Sequence, residues 1–572
     1  MKAVVIGGGL AGLTAAIELA EGGAQVTVLE AKPRLGGATC SFSRDGLTID
    51  TGQHVFLRCC TAYQDLLAKL GMTAHAPLQP RFDVTVLAPG SNRTARLRRS
   101  ALPSPLHMLP ALLRYPFLNL NERSVVSRAS LAMRRVDPAD PAVDAQRFGD
   151  WLAAHGQSEN ARRALWDLFA VSALNINGDD ASLALAAIVV KTGLLGAKDA
   201  ADIGVPALPL GELHGDAAAR LLSELGAEVM LNTKVAAIVP IPPGTASVPA
   251  ASVPAASVPA ASAPAASVPA ASVPAASAPR TPPASSTPLT SSGSERNFSF
   301  RIELTRGGSS ESIPADPVPA DVSPASAAGT NLDISADVVV LAVPPEQAAK
   351  LIPADALPRE TVAGWSGLGA SPIVNIHVIY DRKVMDLPFV AAVNSPVQWI
   401  FDRTEISGLA SQQRGTLRQP SPPEGYVAPT IPTGDGGRRG ERVQYLALSQ
   451  SAGDEWVDMP VAKLRDIFVP ALAELLPAAR DANVAEFFVT RERRATFRQV
   501  PGTAALRPAP ETKLPGLVLA GAWTDTGWPD TMEGAVRSGL AAAAELKRHR
   551  ATPTQRAESK VTVNADTLGV SP

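Results

Sequence analysis

The sequence predicts an α/β fold with a Rossmann-like, parallel-sheet domain, a mixed α+β second domain and disordered Pro/Ala/Ser insertions. Three observations predict it. The opening 37 residues read strand, glycine turn, helix, strand and acid. Near the other end, the apolar run Leu517-Val518-Leu519-Ala520-Gly521-Ala522 stops at glycine and leads into a helix start. Between them, Ala246 to Arg280 is seven successive copies of a five-residue unit, ASVPA with ASAPA and ASAPR variants.

In the opening stretch, Ala3-Val4-Val5-Ile6 runs into Gly7-x-Gly9-x-x-Gly12, a helix-like run continues to Glu21, and Val26 to Leu29 ends in Glu30. Gly7 permits the tight turn out of the strand, Gly9 lets the backbone approach a pyrophosphate, and Gly12 lets the helix pack on the sheet. Free N–H groups at the helix start, with the helix dipole, favour phosphate charge. Glu30 stands eighteen positions after Gly12, placed to accept hydrogen bonds from a ribose. The plainer reading is a glycine-rich turn in an ordinary α/β protein, and strand, helix and acid in register disfavour it.

After Glu30 come Ala31-Lys32-Pro33-Arg34-Leu35-Gly36-Gly37 and then Asp50-Thr51-Gly52-Gln53-His54. The second glycine pair suggests another backbone stretch wrapped on the same pyrophosphate, with Arg34 adding positive charge. E-A-x-x-R-x-G-G after the first βαβ unit resembles the amine-oxidase-like flavoproteins, and that resemblance implies FAD.

At 572 residues the chain can bury two large cores, and a net charge of −2 offers nothing to nucleic acid. The first strand begins at Lys2, so no leader is expected, and no run reaches the roughly 18 apolar residues of a membrane span. Cys40, Cys59 and Cys60 show neither a disulfide framework nor metal-ligand spacing, which suggests a reducing cytosol, buried thiols and no metal. A proline in every repeat unit forbids helix and central strand, so we expect an extended, solvated insertion. Ser309 to Thr330 is a second Pro/Ala/Ser-rich patch, and Thr404 to Arg442 a third loop. Ala227–Val235, Phe298–Leu304 and Ala336–Pro344 read as three strands of a small antiparallel sheet, once the insertions are set aside. The stretch 76–207 reads mostly helical. Within it, Leu102 to Leu120 is apolar, proline-broken and flanked by Arg98, Arg99 and Arg123, suited to a core helix pair or to a membrane face.

After Gly521 and Ala522 the chain continues Trp523-Thr524-Asp525-Thr526-Gly527-Trp528-Pro529 and Asp530-Thr531-Met532-Glu533-Gly534-Ala535-Val536-Arg537-Ser538-Gly539. The last piece opens a helix whose first N–H groups, around Met532, Glu533, Gly534 and Ala535, can face the flavin. D-x-G-Q-H, W-x-F-D-R (Trp399, Phe401, Asp402, Arg403) and A-G-x-W-T-D-T-G-x-P…E-G-A-V-R-S-G together resemble the hydroxysqualene dehydroxylases, also labelled squalene-associated FAD-dependent desaturases. The resemblance spans roughly 1–235 and 336–548. It adds Gln53, Val235 and Gly521 to the expected cofactor contacts. Two departures stand out: Ala38, where many relatives carry Arg, and Ala522, where many carry an acid. They imply weaker FAD retention, with Asp525 a partial substitute.

The resemblance implies reduction of hydroxysqualene to squalene, with loss of water, in triterpene or hopanoid synthesis. Its expected partners are an apolar C30 polyene alcohol and synthases of the squalene pathway, with the protein cytoplasmic or peripheral on the inner face of a membrane. Such a substrate offers no ionic handle, so an apolar tunnel is expected, with Trp365, Trp399, Phe401, Trp523 and Trp528 as candidate cation-facing aromatics. Hydroxyl departure wants an acid, for which Asp525 and His54 are the candidates. The alternatives are a carotenoid or phytoene-type desaturase, an amine oxidase, and a prenyl-binding protein without flavin. The expected organisation is FAD-binding at 1–75, 208–240, 297–360 (with a low-complexity loop at 308–330) and 500–548. Substrate-domain segments are expected at 76–207 and 361–499, a repeat insertion at 241–296 and a disordered tail at 549–572.

Overall fold

A computed structural model describes residues 1–90, 94–242, 298–306, 332–410 and 443–550. Nearly all of the ASVPA insertion, the 308–330 loop, most of the 404–442 loop and the tail lie outside those residues.

The opening strand Lys2–Ile6 takes the centre of a five-stranded sheet, in the order Leu517–Leu519, Val338–Leu341, Lys2–Ile6, Gln25–Leu29, Glu228–Met230. All four pairings are parallel. Such a sheet is covered on both faces, which is why its strands are continuous apolar runs, with Val338–Leu341 buried at every position. Helix Leu10–Glu21 packs against the long C-terminal helix Met532–Arg550. At their crossing a Cβ on Gly539 would strike the Ala11 carbonyl and crowd Thr14, so the two ends of the chain meet backbone to backbone.

The small antiparallel sheet exists, with different strands from those the sequence suggested. It is Thr233–Ile241, Ser299–Arg306 and Leu332–Ala336. The run Ala227–Val235 breaks at Asn232, whose φ of 52° turns the chain, and its first half joins the parallel sheet instead. The run from Ala336 likewise divides after one residue. Leu332–Ala336 is antiparallel, and Val338–Leu341 lies between two parallel partners.

The second layer is a seven-stranded sheet in the order Val484–Thr496, Ser371–Tyr380, Gln444–Gln450, Trp399–Asp402, Phe389–Ala392, Asp83–Leu87, Ala95–Arg98. Its last two strands come from the stretch read as mostly helical, where Asp83–Leu87 alternates in burial as a strand does. One face packs on helix Val461–Leu475 through Val374, Ile376, Val378, Leu446, Leu448 and Phe468. The other face carries Asn375, His377, Trp399, Phe401 and Ser449, in register across three strands.

Candidate active site

The two glycine turns touch. The N–H of Gly36 donates to the Gly8 carbonyl at 2.8 Å, and Gly9 and Gly36 form a parallel bridge. Gly37, at φ 60°, sits so close that a Cβ on it would come within 2.9 Å of the Gly9 Cα. A Cβ on Gly12 would fall on the Gly7 carbonyl, the helix-to-strand contact its position demands. A Cβ on Gly9 meets only the Gly37 Cα, at 3.8 Å, so space is left on that side of the turn. Arg34 Nε donates to Cys40 Sγ at 3.2 Å, and no carboxylate among the described residues pairs with its guanidinium. Glu30 sits at the end of its strand, with Oε2 accepting from Gly8 N at 2.7 Å and Oε1 from Lys32 N at 2.8 Å. The carboxylate therefore ties the first turn to the second strand, and its remaining lone pairs are what a ribose would meet. Val235 is buried at a bulge in Thr233–Ile241, a strand joined to the Glu30 carbonyl through Thr233 N.

At the other end, Gly521 has φ 139° and a Cβ on it would strike the Trp523 ring, whose Nε1 donates to the Val343 carbonyl at 2.9 Å. Thr531 starts the C-terminal helix: its hydroxyl accepts from Gly534 N and its carbonyl from Ala535 N. The N–H groups just ahead, on Met532 and Glu533, are the ones an incoming acceptor would meet. The Glu533 side chain faces elsewhere. Its carboxylate accepts from Ala62 N (3.2 Å) and Tyr63 N (2.8 Å) at the start of helix Thr61–Lys69, and from Arg537 Nε at 2.7 Å. It joins two helices, and only its backbone is left for a cofactor.

The loop Asp50–His54 lies between this framework and the seven-stranded sheet. Asp50 is buried and ion-paired with Arg403, and its Oδ1 also accepts from Ser41 Oγ (2.6 Å) and Leu210 N (2.9 Å). The D-x-G-Q-H and W-x-F-D-R motifs are thus one contact, which the sequence does not announce across their separation. Asn375 Nδ2 donates to the Thr51 carbonyl at 3.0 Å, a second tie from the sheet. Gln53 Oε1 is buried without a hydrogen-bond partner among the described residues. Desolvation lowers the His54 pKa, with Asp50 pulling it up and Arg403 pushing it down. His214 is fully buried and pushed down to about 4, chiefly by desolvation and then by His54, and its Nε2 lies 2.7 Å from the Tyr63 hydroxyl. Both imidazoles are therefore neutral at pH 7, and a neutral imidazole is a weak proton donor.

The structure separates the two acid candidates. Asp525 is exposed, its Oδ1 accepting from Gly527 N at 3.3 Å, in a surface cleft shared with Thr61, Asp65 and Arg537. His54 stands with Asp50, Arg403 and His214. A third carboxyl in the same motif, Asp530, is more deeply buried. Asp530 precedes the helix start by two residues, its Oδ2 accepting from Phe497 N at 2.8 Å and its N–H donating to Gln499 Oε1 at 3.2 Å. Desolvation pushes its carboxyl up to about 6, against the pull of the Phe497 N–H and of Arg507.

The aromatics also divide. Trp365 and Trp523 pack edge to face in the core at 4.9 Å, and Trp528 lies under the Arg537 guanidinium at 4.5 Å. Trp399 and Phe401 stack at 6.3 Å beside Phe389, on the sheet face that meets the Asp50–His54 loop. Trp399 Nε1 donates to Ser172 Oγ at 2.7 Å. The four described tyrosines, Tyr63, Tyr115, Tyr380 and Tyr445, are fully buried, so none of them supplies an exposed aromatic wall. Cys59 and Cys60 are partly exposed free thiols beside the helix Thr61–Lys69, where buried ones were expected.

A parallel sheet with paired glycine turns, closed by a C-terminal helix start, defines a dinucleotide-dependent oxidoreductase of the flavoprotein class. The comparison with family models narrows it: the chain belongs to the flavin containing amine oxidoreductase family, whose model matches residues 10–282 and 323–547. It is an FAD-dependent oxidoreductase. It is 26% identical over 543 residues to a hydroxysqualene dehydroxylase of Rhodopseudomonas palustris, covering 94% of this chain and 96% of that one. A hydroxysqualene dehydroxylase of Sinorhizobium fredii is 24% identical over the same share of each chain. A 15-cis-phytoene desaturase of Solanum lycopersicum is 22% identical over 98% of this chain and 80% of its own. Among solved structures, putrescine oxidase bound to putrescine shares the fold at a TM-score of 0.57, with 15% identity over 96% of this chain and 99% of that one.

FAD fits the residues present. The Gly9 side of the first turn is open, and among the described residues Arg34 has no carboxylate partner and Gln53 Oε1 no donor. Among the described residues no helix is long and apolar enough to cross a membrane.

Proposed function

We propose that this chain reduces hydroxysqualene to squalene. What supports the reading is end-to-end likeness to two proteins of that name, over 94% of this chain and 96% of theirs. The pairing of Asp50 with Arg403, which unites two motifs of that resemblance, agrees with it.

Bound and reduced, FAD supplies a hydride to an allylic carbon. The two glycine turns and Arg34 would hold its pyrophosphate, Glu30 its ribose, and the N–H groups of Met532 and Glu533 its pyrimidine edge. The chain's remaining work is to orient a hydrocarbon, keep water out and protonate the departing hydroxyl. Phe389, Trp399 and Phe401 supply an apolar, electron-rich wall that tolerates positive charge growing on the allylic carbons. Asp530 gives its proton to the leaving oxygen, so carbon gains hydride and water departs. A carboxyl raised to about 6 is still partly protonated near neutrality, whereas His54, lowered by desolvation, is neutral there.

A phytoene-type desaturase is the second reading, favoured by the 22% identity over nearly the whole chain to the tomato enzyme. Product analysis separates the two. Photoreduced holoenzyme given hydroxysqualene should yield squalene, and oxidised holoenzyme given phytoene should yield no added double bond. A conjugated product from phytoene with no squalene from hydroxysqualene would transfer the assignment.

A further inference from the structure

Nine large hydrophobic side chains are exposed among the described residues, and five of them fall within thirty positions: Leu102, Leu106, Leu113, Leu120 and Leu131. They are between 43% and 78% exposed. The segment carrying them is compact. Turn Leu106–Met108 adjoins helix Leu109–Leu113, which packs on both Ala95–Arg98 and helix Leu120–Met133. Arg123 fastens the turn, donating to the carbonyls of Leu113 (2.6 Å) and Tyr115 (2.9 Å). Inward, Met108, Ala111, Leu112, Tyr115 and Leu118 join the main core. Leu106 and Leu113 thus stay outside by the geometry of the turns, with their apolar neighbours already spent on the core.

The helix repeats the pattern. Leu120 and Leu131 are eleven residues apart, three turns of an α-helix, so they share its outer face, with Arg128 between them. The charge is equally one-sided. Residues 98–135 hold seven arginines and a single acid, Glu122, in a chain whose net charge is −2. Arg114, Arg128, Arg134 and Arg135 are exposed and pair with no carboxylate among the described residues. Exposed leucines on an aqueous surface are unfavourable, and five of them within thirty positions, interspersed with and followed by arginines that pair with no carboxylate among the described residues, match one surface, an apolar layer under anionic headgroups.

We infer that residues 102–135 dock the protein on an anionic lipid bilayer, leucines entering the headgroup boundary and Arg114, Arg128, Arg134 and Arg135 meeting lipid phosphates. The inference stands on exposure and charge alone and is independent of the reaction proposed above. It is tested by flotation of the FAD-loaded protein with vesicles of phosphatidylcholine plus phosphatidylglycerol, and of phosphatidylcholine alone. The protein should float with the anionic vesicles and not the neutral ones, and added salt should release it. Replacing Leu102, Leu106, Leu113 and Leu120 together by Gln should weaken binding by more than about tenfold. Arg114→Gln and Arg128→Gln should each cost about fivefold. Circular dichroism and bound flavin should be unchanged in all of these, since none of the side chains is buried. Should the fourfold variant misfold, Leu120→Gln alone tests the most exposed position. Undiminished flotation of these variants, or no flotation of the natural chain, overturns the inference. So does light scattering that shows a dimer which the leucine variant converts to monomer, for the patch would then belong to a second copy.

Discussion

Arg403 donates to Asp50 from 353 positions away, and both side chains are almost wholly buried. The pair locks the loop Asp50–His54 to the end of the strand Trp399–Asp402 in the seven-stranded sheet. Breaking one partner leaves the other charge buried without compensation. Arg403→Met should destabilise the protein by about 3–5 kcal/mol. Adding Asp50→Asn should recover part of that loss, because the Asn carbonyl still accepts from Leu210 N. Urea unfolding of the single and double variants checks both statements.

The first glycine turn makes a sharper prediction about FAD. Gly9 has ordinary extended backbone and open space beside it, so Gly9→Val is compatible with the fold. The new side chain would stand where the pyrophosphate must lie. Near-normal far-UV circular dichroism with no bound flavin is expected, and retained flavin absorbance would show that the site lies elsewhere.

Glu533 is expected to behave in the opposite way. Glu533→Ala strips two backbone N–H groups of helix Thr61–Lys69 of their acceptor and releases Arg537. The expected cost is about 1–2 kcal/mol in denaturant unfolding. FAD affinity, measured by fluorescence titration, should be nearly unchanged, because the backbone N–H groups remain.

Asp530 links pH to both stability and rate. Its folded-state pKa, about 6, stands above its ordinary 3.8, so the folded chain holds this proton more tightly than the unfolded chain. Stability should therefore fall as pH rises from about 4 to about 6, by on the order of 3 kcal/mol for this group. Asp167, also raised to about 6 by desolvation, contributes with the same sign. Asp530→Asn should remove the Asp530 share of the slope in melting temperature. In turnover, the rate should decline above pH about 6 as the carboxyl loses its proton, and the Asn variant should be about 10²–10⁴-fold slower without that decline.

The parts of the site that lie close together in the chain were legible in the sequence. Gly7, Gly9, Gly12 and Glu30 sit within one βαβ unit, whose period and punctuation name its elements. The insertion boundaries were visible from composition, but the sheet flanking them was misdivided. Asn232 and Asp337 each end one strand and begin another without a proline or glycine to mark the change. The pairing of Asp50 with Arg403 needs the folded sheet, since nothing local to either residue points to the other. Burial is equally invisible to a local reading. Asp525 and Asp530 lie in the same motif and look alike as letters, and only burial against Phe497 and Gln499 distinguishes them. Glu533 shows that a residue inside a cofactor motif can have a side chain spent on packing.

The proposed reaction requires electrons to flow from the flavin to the alcohol. It is tested most directly by the flavin spectrum when anaerobic, photoreduced holoenzyme is mixed with hydroxysqualene. The oxidised flavin absorbance should return in step with one equivalent of squalene. A spectrum that stays reduced with hydroxysqualene, together with bleaching of oxidised enzyme by squalene, would contradict it.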